Sequence, residues 1–156
     1  MTFSPSLLYW LIVNFPIILL FIVFMVGTRI FSDIEYITIL LCLAALLCLL
    51  VLFKNYLKIL TTKWVVTDEQ IKIYEGIFFH KVNYIELYRV YDYELTQNIV
   101  QAMLGLKNIY IYSGDKSTPK LKMYGLLTKH IDIISIIRKR VEQQKLKKGI
   151  YEFTNR

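Results

Sequence analysis

Residues 7–26 read LLYWLIVNFPIILLFIVFMV, and residues 36–53 read YITILLCLAALLCLLVLF. Neither run holds a charged residue, and the polar break between them spans fewer than a dozen positions. A helix needs about 20 apolar residues to cross a hydrocarbon core about 30 Å thick. Each run approaches that length, so the pair predicts a transmembrane hairpin over residues 1–60, with spans at about 7–26 and 36–53. The remainder is what the hairpin holds at a membrane surface.

The chain has 156 residues, 56% of them hydrophobic, with a mean hydropathy of +0.46. That apolar content is concentrated at the front, which argues against a soluble domain throughout. About a hundred residues follow, enough for one small domain. Charge divides the same way. Of 19 Lys and Arg, only Arg29, Lys54 and Lys58 precede Thr61, and of 12 Asp and Glu only Asp33 and Glu35 do. Lys54, Lys58 and Lys63 follow the second run closely. Basic residues beside span ends favour the cytoplasmic side. The expected placement is therefore multi-pass in the cytoplasmic membrane, loop outward, both termini in the cytosol. A cleaved leader would need a basic start, a shorter apolar core and a small-residue cleavage site. No Lys or Arg precedes Arg29, and Gly27-Thr28-Arg29 is a poor site.

Several residues in the hairpin invite a role. Tyr9 and Trp10 fit an interfacial aromatic belt, and Lys54 and Lys58, with Lys63 beyond them, a cationic collar facing lipid headgroups. Asn14 and Pro16 interrupt the first run. They mark a bend or a subunit contact, or else a tolerated kink near the interface. Ala44 and Cys48 have the four-residue spacing of small residues that lets helices approach closely, within the hairpin or between subunits. Cys42 and Cys48 lie six residues apart on different faces of one helix, about 9 Å along its axis, too far to bond to each other.

From Thr62 the pattern alternates. Strands are predicted at 63–67, 71–74, 77–87, 89–96, 108–113 and 119–124, with Tyr91 and Tyr93 on one face of the fourth. QNIVQAML, residues 97–104, is a short helix closed by Gly105. From about Lys129 to Lys147, Ile133, Ile134, Ile137 and Val141 mark the apolar face of an amphipathic helix. The domain is expected over 61–148, with 149–156 a flexible tail.

No catalytic pattern is present: no glycine-rich phosphate loop, no paired Cys or His at metal spacing, no nucleophile elbow. His80 and His130 stand alone and read as surface or half-buried residues rather than pH switches. Asp92 and Glu94 share a strand face without a partner acid, base or metal ligand. The chain is expected to be non-enzymatic and without a cofactor. Lys120, Lys122, Arg138, Lys139 and Arg140 are candidate anion ligands for a lipid headgroup, a nucleotide phosphate or another anionic small molecule, or else a solubilising basic surface. Tyr91, Tyr93, Tyr110 and Tyr112 offer a face for a partner chain. Nucleic acid is disfavoured, because the aromatics alternate with Ile as packing residues do.

Residues 64–87 (WVVTDEQIKIYEGIFFHKVNYIEL), 89–113 (RVYDYELTQNIVQAMLGLKNIYIYS) and 119–126 (PKLKMYGL) resemble the bacterial pleckstrin-homology-like (PH-like) domain of membrane-flanked proteins. The likeness runs from about Lys63 to Gln144. Ala102 stands where that family often has Arg, so no role of that Arg carries over. The resemblance implies a seven-stranded antiparallel sandwich or roll capped by the last helix, behind an apolar hairpin. It implies a membrane-anchored binding or scaffold module that self-associates or docks another membrane protein, with links to envelope stress or bacteriocin resistance in some members. The alternative is a ligand-gated effector. Its basic domain would sense an anionic messenger, such as a cyclic oligonucleotide of CRISPR or other antiphage defence, and the hairpin would perturb the bilayer.

Overall fold

The computed structural model describes residues 1–79, 81–128 and 132–150. His80, His130 and the expected start of the last helix at Lys129 lie outside them. Two long helices, α1 (Leu7–Ile30) and α2 (Glu35–Thr61), form an antiparallel hairpin. Both are long and apolar enough to cross a membrane, by length and composition. Each runs beyond its apolar run, and α2 carries Lys54 to Thr61 as two further helical turns.

The hairpin has a seam. Trp10, Asn14, Ile17, Phe21, Phe24 and Thr28 of α1 are buried or half-buried, as are Thr38, Leu41, Ala45, Cys48, Leu52, Asn55 and Ile59 of α2. Their spacing alternates three and four, the heptad period that keeps two helices in face-to-face register. The other faces are apolar and exposed. Small residues bring the helices together, as the sequence suggests, but the tightest is Ala45, with Cys48 half-buried and Ala44 at the flank. On α1 the close point is Gly27, where an added Cβ would stand 3.1 Å from Leu41 Cδ1. Pro16 is an exposed residue of α1, away from the seam.

The domain is two antiparallel sheets. One has the order β1 (Thr2–Phe3), β2 (Lys63–Val66), β3 (Gln70–Glu75), β4 (Lys81–Glu86); the other has β5 (Val90–Thr96), β6 (Leu106–Ser113), β7 (Lys120–Leu127). The alternation identifies six of these seven strands. The seventh is β1, from before the hairpin. Thr2 pairs with Val65 and Phe3 with Trp64, and the Val66 N–H donates to the Met1 carbonyl at 2.8 Å. This corrects the expected boundary at residue 60: the first residues belong to the domain, and the hairpin is inserted between its first two strands. Two residues are too few to carry a period, so nothing in the pattern marks β1.

Trp64, Ile71, Ile73, Ile85, Ile109, Ile111 and Met123 fill the space between the sheets, all at most 2% exposed. Helix α4 (Ile133–Lys147) closes the core with Ile133, Ile137 and Val141, and Ile134 packs beside them. Of the expected tail at 149–156, only Gly149 and Ile150 lie among the described residues, and they cap this helix. Gly149, at φ 65°, donates to the Leu146 carbonyl and Ile150 to that of Lys145, a two-bond cap that orders both residues.

Two bulges change which side chains share a face. The register shifts between Val90 and Asp92, so Tyr91 lies outside while Tyr93 packs toward the core. The expectation of both on one face fails at that extra residue. In the same sheet, Tyr124 and Gly125 of β7 stand opposite the single Asn108 of β6. Gly125 has φ 62°, a conformation that suits glycine.

Candidate functional site

The bulge in β7 is where the hairpin seats on the domain. The Gly125 N–H donates to Asn108 Oδ1 at 2.9 Å, and the Gly125 carbonyl accepts from the Ser6 N–H at 2.8 Å. A Cβ on Gly125 would lie 2.3 Å from Cγ of Tyr9, so only a glycine lets α1 approach this closely. Asn108 also donates to Gln101 Oε1 at 3.2 Å, and Gln101 completes the capping box of α3 (Ile99–Met103) with Asn98. Polar contacts thus run from α3 through Asn108 and Gly125 to the start of α1. On the α2 side, the Tyr124 hydroxyl lies 3.3 Å from Thr62 Oγ1, and its ring meets Tyr9 at 5.3 Å and Trp64 at 5.2 Å. Burial raises the Tyr124 phenol above its ordinary value, so it stays neutral.

Just above this seat, Asn55 Nδ2 donates to Asn14 Oδ1 at 2.7 Å, and Asn14 Nδ2 to the Trp10 carbonyl at 2.9 Å. Asn14 therefore finds its partner within the hairpin. A polar pair in an apolar seam fixes register. Trp10 packs edge-on against Tyr56 at 5.8 Å, at the same level of the hairpin as this amide pair.

Between hairpin and domain lies an open cleft of about 310 Å³. Tyr9, Val13, Asn14, Asn55 and Ile59 line its hairpin side with Lys58, and Lys122 and Tyr124 line the other. It joins one expected interface cation, Lys58, to one expected anion ligand, Lys122. No acidic residue lines it, and among the described residues neither lysine has a carboxylate within 4.0 Å.

The remaining basic residues are dispersed. Lys120 and Lys122 share the outer face of their sheet, but Lys120 Nζ donates to the Tyr112 hydroxyl at 2.8 Å, with Glu94 at 4.0 Å. The Tyr112 hydroxyl in turn donates to Glu94. That hydrogen bond to Tyr112, more than the charge of Glu94, holds the Lys120 ammonium above its usual value. Arg138 pairs with Glu142 at 3.5 Å along α4, and Lys139 is exposed. Arg140 donates to the Val66 carbonyl at 2.9 Å and meets Asp68 at 3.3 Å, which makes it a brace between α4 and the β2–β3 turn. The expected set of five anion ligands is thus not one site. Lys54 and Lys63 are exposed near the hairpin base. Asp92 and Glu94 lie outward, and among the described residues no group of His, Cys, Asp and Glu could hold a metal ion.

Sequence reasoning missed Asn55, Tyr124 and Gly125. Asn55 was legible in principle: it continues the three–four spacing of Leu41, Ala45, Cys48 and Leu52.

A two-sheet antiparallel sandwich closed by a C-terminal helix is the architecture of a PH-like domain. The bacterial PH domain family matches residues 12–151, most of α1 and all of α2 included, and the chain belongs to that family. No curated protein and no solved structure gives a significant match.

Proposed function

We propose that the chain is a membrane-anchored, non-catalytic binding module. Its hairpin crosses the cytoplasmic membrane, and the domain and both termini face the cytosol. One observation carries this reading: away from their seam, α1 and α2 turn apolar side chains outward, and only 6% of each apolar window is buried within the protein. A soluble surface rarely shows a contiguous apolar patch beyond about 600 Å². Two levels of the hairpin fit a bilayer. Trp10 to Arg29 and Glu35 to Lys54 each span 19 helical steps, about 29 Å, close to the hydrocarbon thickness. The seating of α1 on Gly125 and the pairing of β1 with β2 support a fixed anchor over a gate. The outer row of Tyr91, Tyr110 and Tyr112 is the surface best suited to a partner chain, whether a second copy or another membrane protein.

Single cysteines test the topology, placed by Ser32→Cys or Lys116→Cys in a Cys42→Ala/Cys48→Ala background. In intact spheroplasts a membrane-impermeant maleimide should label the first and reach the second only after lysis. Labelling of both before lysis, or release of the chain by alkaline carbonate, would refute the reading.

A further inference from the structure

We infer that the cleft at the hairpin base holds the phosphate-bearing headgroup of an anionic phospholipid from the surrounding leaflet. The inference rests on the anchored reading above and adds a ligand to it. Its ground is the pairing of Lys58 with Lys122, which the fold brings together from α2 and β7.

Among the described cations without an ion pair, Lys58 and Lys122 stand out because they share one cleft. Arg89, Lys120, Arg138 and Arg140 each have a carboxylate within 4.0 Å. Lys58 and Lys122 have none, and no Asp or Glu lines their cleft. Two lysines without an ion pair line one space, with Lys122 Nζ also 5.4 Å from the Tyr110 ring centroid, and leave a positive potential that a phosphodiester neutralises. The Tyr9 hydroxyl and the second amide hydrogen of Asn55 add donors suited to ester and glycerol oxygens.

Position selects a lipid over a soluble phosphate. The cleft lies at the level of the Trp10–Tyr56 pair, where an aromatic belt meets headgroups. Its hairpin wall includes Val13, which is 52% exposed on the apolar side of α1. A headgroup between the lysines can pass its acyl chains along that wall without leaving the bilayer. About 310 Å³ lies at the small end of ligand pockets, which run about 300–1,000 Å³, and suits a phosphate with its glycerol rather than a nucleotide oligomer.

The test uses the full chain, purified in a zwitterionic detergent and examined by native mass spectrometry with phosphatidylglycerol or phosphatidylcholine. The wild type should retain phosphatidylglycerol preferentially. Lys58→Gln and Lys122→Gln should each weaken retention about fivefold and the double variant about 25-fold. Lys116→Gln and Lys147→Gln, which remove exposed cations outside the cleft, should leave it unchanged. Lys58→Arg/Lys122→Arg should keep it, which separates lost charge from lost folding. Equal retention of the two lipids, or insensitivity to the double variant, overturns the site. So does displacement of the lipid by millimolar inorganic phosphate or glycerol phosphate, which would make the ligand soluble. Flotation with vesicles keeps the two readings apart. A wild type that floats but shows no headgroup preference sinks only this inference, and one that fails to float sinks the anchored reading as well.

Discussion

Replacing Gly125 by Ala tests how the hairpin is fixed to the domain. Two costs add. At φ 62° an alanine takes a left-handed backbone, which costs about 1–2 kcal/mol. Its Cβ would also stand 2.3 Å from Tyr9 Cγ and 2.5 Å from Tyr9 Cβ, so the ring must leave its place on β7. Overpacking of that kind costs about 1–3 kcal/mol. The sum is about 2–5 kcal/mol, concentrated at the α1–β7 contact. Gly149 supplies the control. It has nearly the same φ, 65°, but no atom within 4 Å of an added Cβ, so Gly149→Ala carries the backbone cost alone. Hydrogen exchange of the detergent-solubilised chain reads the result locally. Protection of residues 120–127 and of the first turn of α1 should fall at least about 30-fold in Gly125→Ala. The Tyr9→Ala background should remove the steric share and reduce the Gly125→Ala effect to about that of Gly149→Ala. If Gly125→Ala costs the same with Tyr9 present or removed, α1 is not seated on this glycine and the reasoning fails.

Three further outcomes are expected. Asn14→Leu or Asn55→Leu alone strands the remaining amide in the seam and should lower hairpin stability by about 0.6–1.7 kcal/mol. The double replacement should recover part of that loss, as a double-mutant cycle of unfolding in detergent would show. Arg140→Met should cost about 1–2 kcal/mol, because the Val66 carbonyl loses its side-chain donor. Asp68→Asn should cost less than about 0.5 kcal/mol, since Asp68 is largely exposed. Asp132 caps α4, and its hydrogen bonds from Ser135 hold its carboxyl below the ordinary 3.8. A depressed carboxylate stabilises above its unfolded value and loses that effect as pH falls through the folded one. Thermal melts should therefore separate wild type from Asp132→Ala above about pH 5, with the gap narrowing below pH 4.

The elements that could be read from sequence were those with a long period. Two uncharged runs mark α1 and α2, six alternating segments mark β2 to β7, and the Ile133–Ile137–Val141 spacing marks α4. What failed was local and physical. An extra residue at Tyr91 turns it from the side of Tyr93, and alternation alone cannot place a bulge. Gly125 lies in YGLL, just past the 119–124 segment that alternation predicts. A glycine inside a strand pattern is the known sign of a bulge or close approach. The cleft was less legible still. Lys58 and Lys122 belong to different elements, and only the folded register at Gly125 brings them together. Asn14 announced itself as a polar residue in an apolar run. Its partner Asn55 did not, because it stands among Lys54, Tyr56 and Lys58 and passes for part of a polar collar.

The short strand β1 changes what the hairpin can do mechanically. A hairpin that merely preceded a domain would hold it by one linker, free to swivel about Thr62. Here the chain enters the hairpin from β1 and leaves it into β2, and those strands are hydrogen-bonded neighbours. Both ends are therefore fixed to one sheet, while Ser6 and Tyr9 pin α1 to the other through Gly125. Three attachments not on one line remove rotation as well as translation. On the proposed anchored reading the domain keeps one orientation to the membrane plane, and the face that carries Tyr91, Tyr110 and Tyr112 is presented at a fixed angle. Such a fixed angle suits docking: a partner in the same bilayer meets a surface already oriented, so less rotational freedom is lost on binding. The same rigidity weighs against a gating role, which would need the Tyr9–Gly125 contact or the β1–β2 ladder to break.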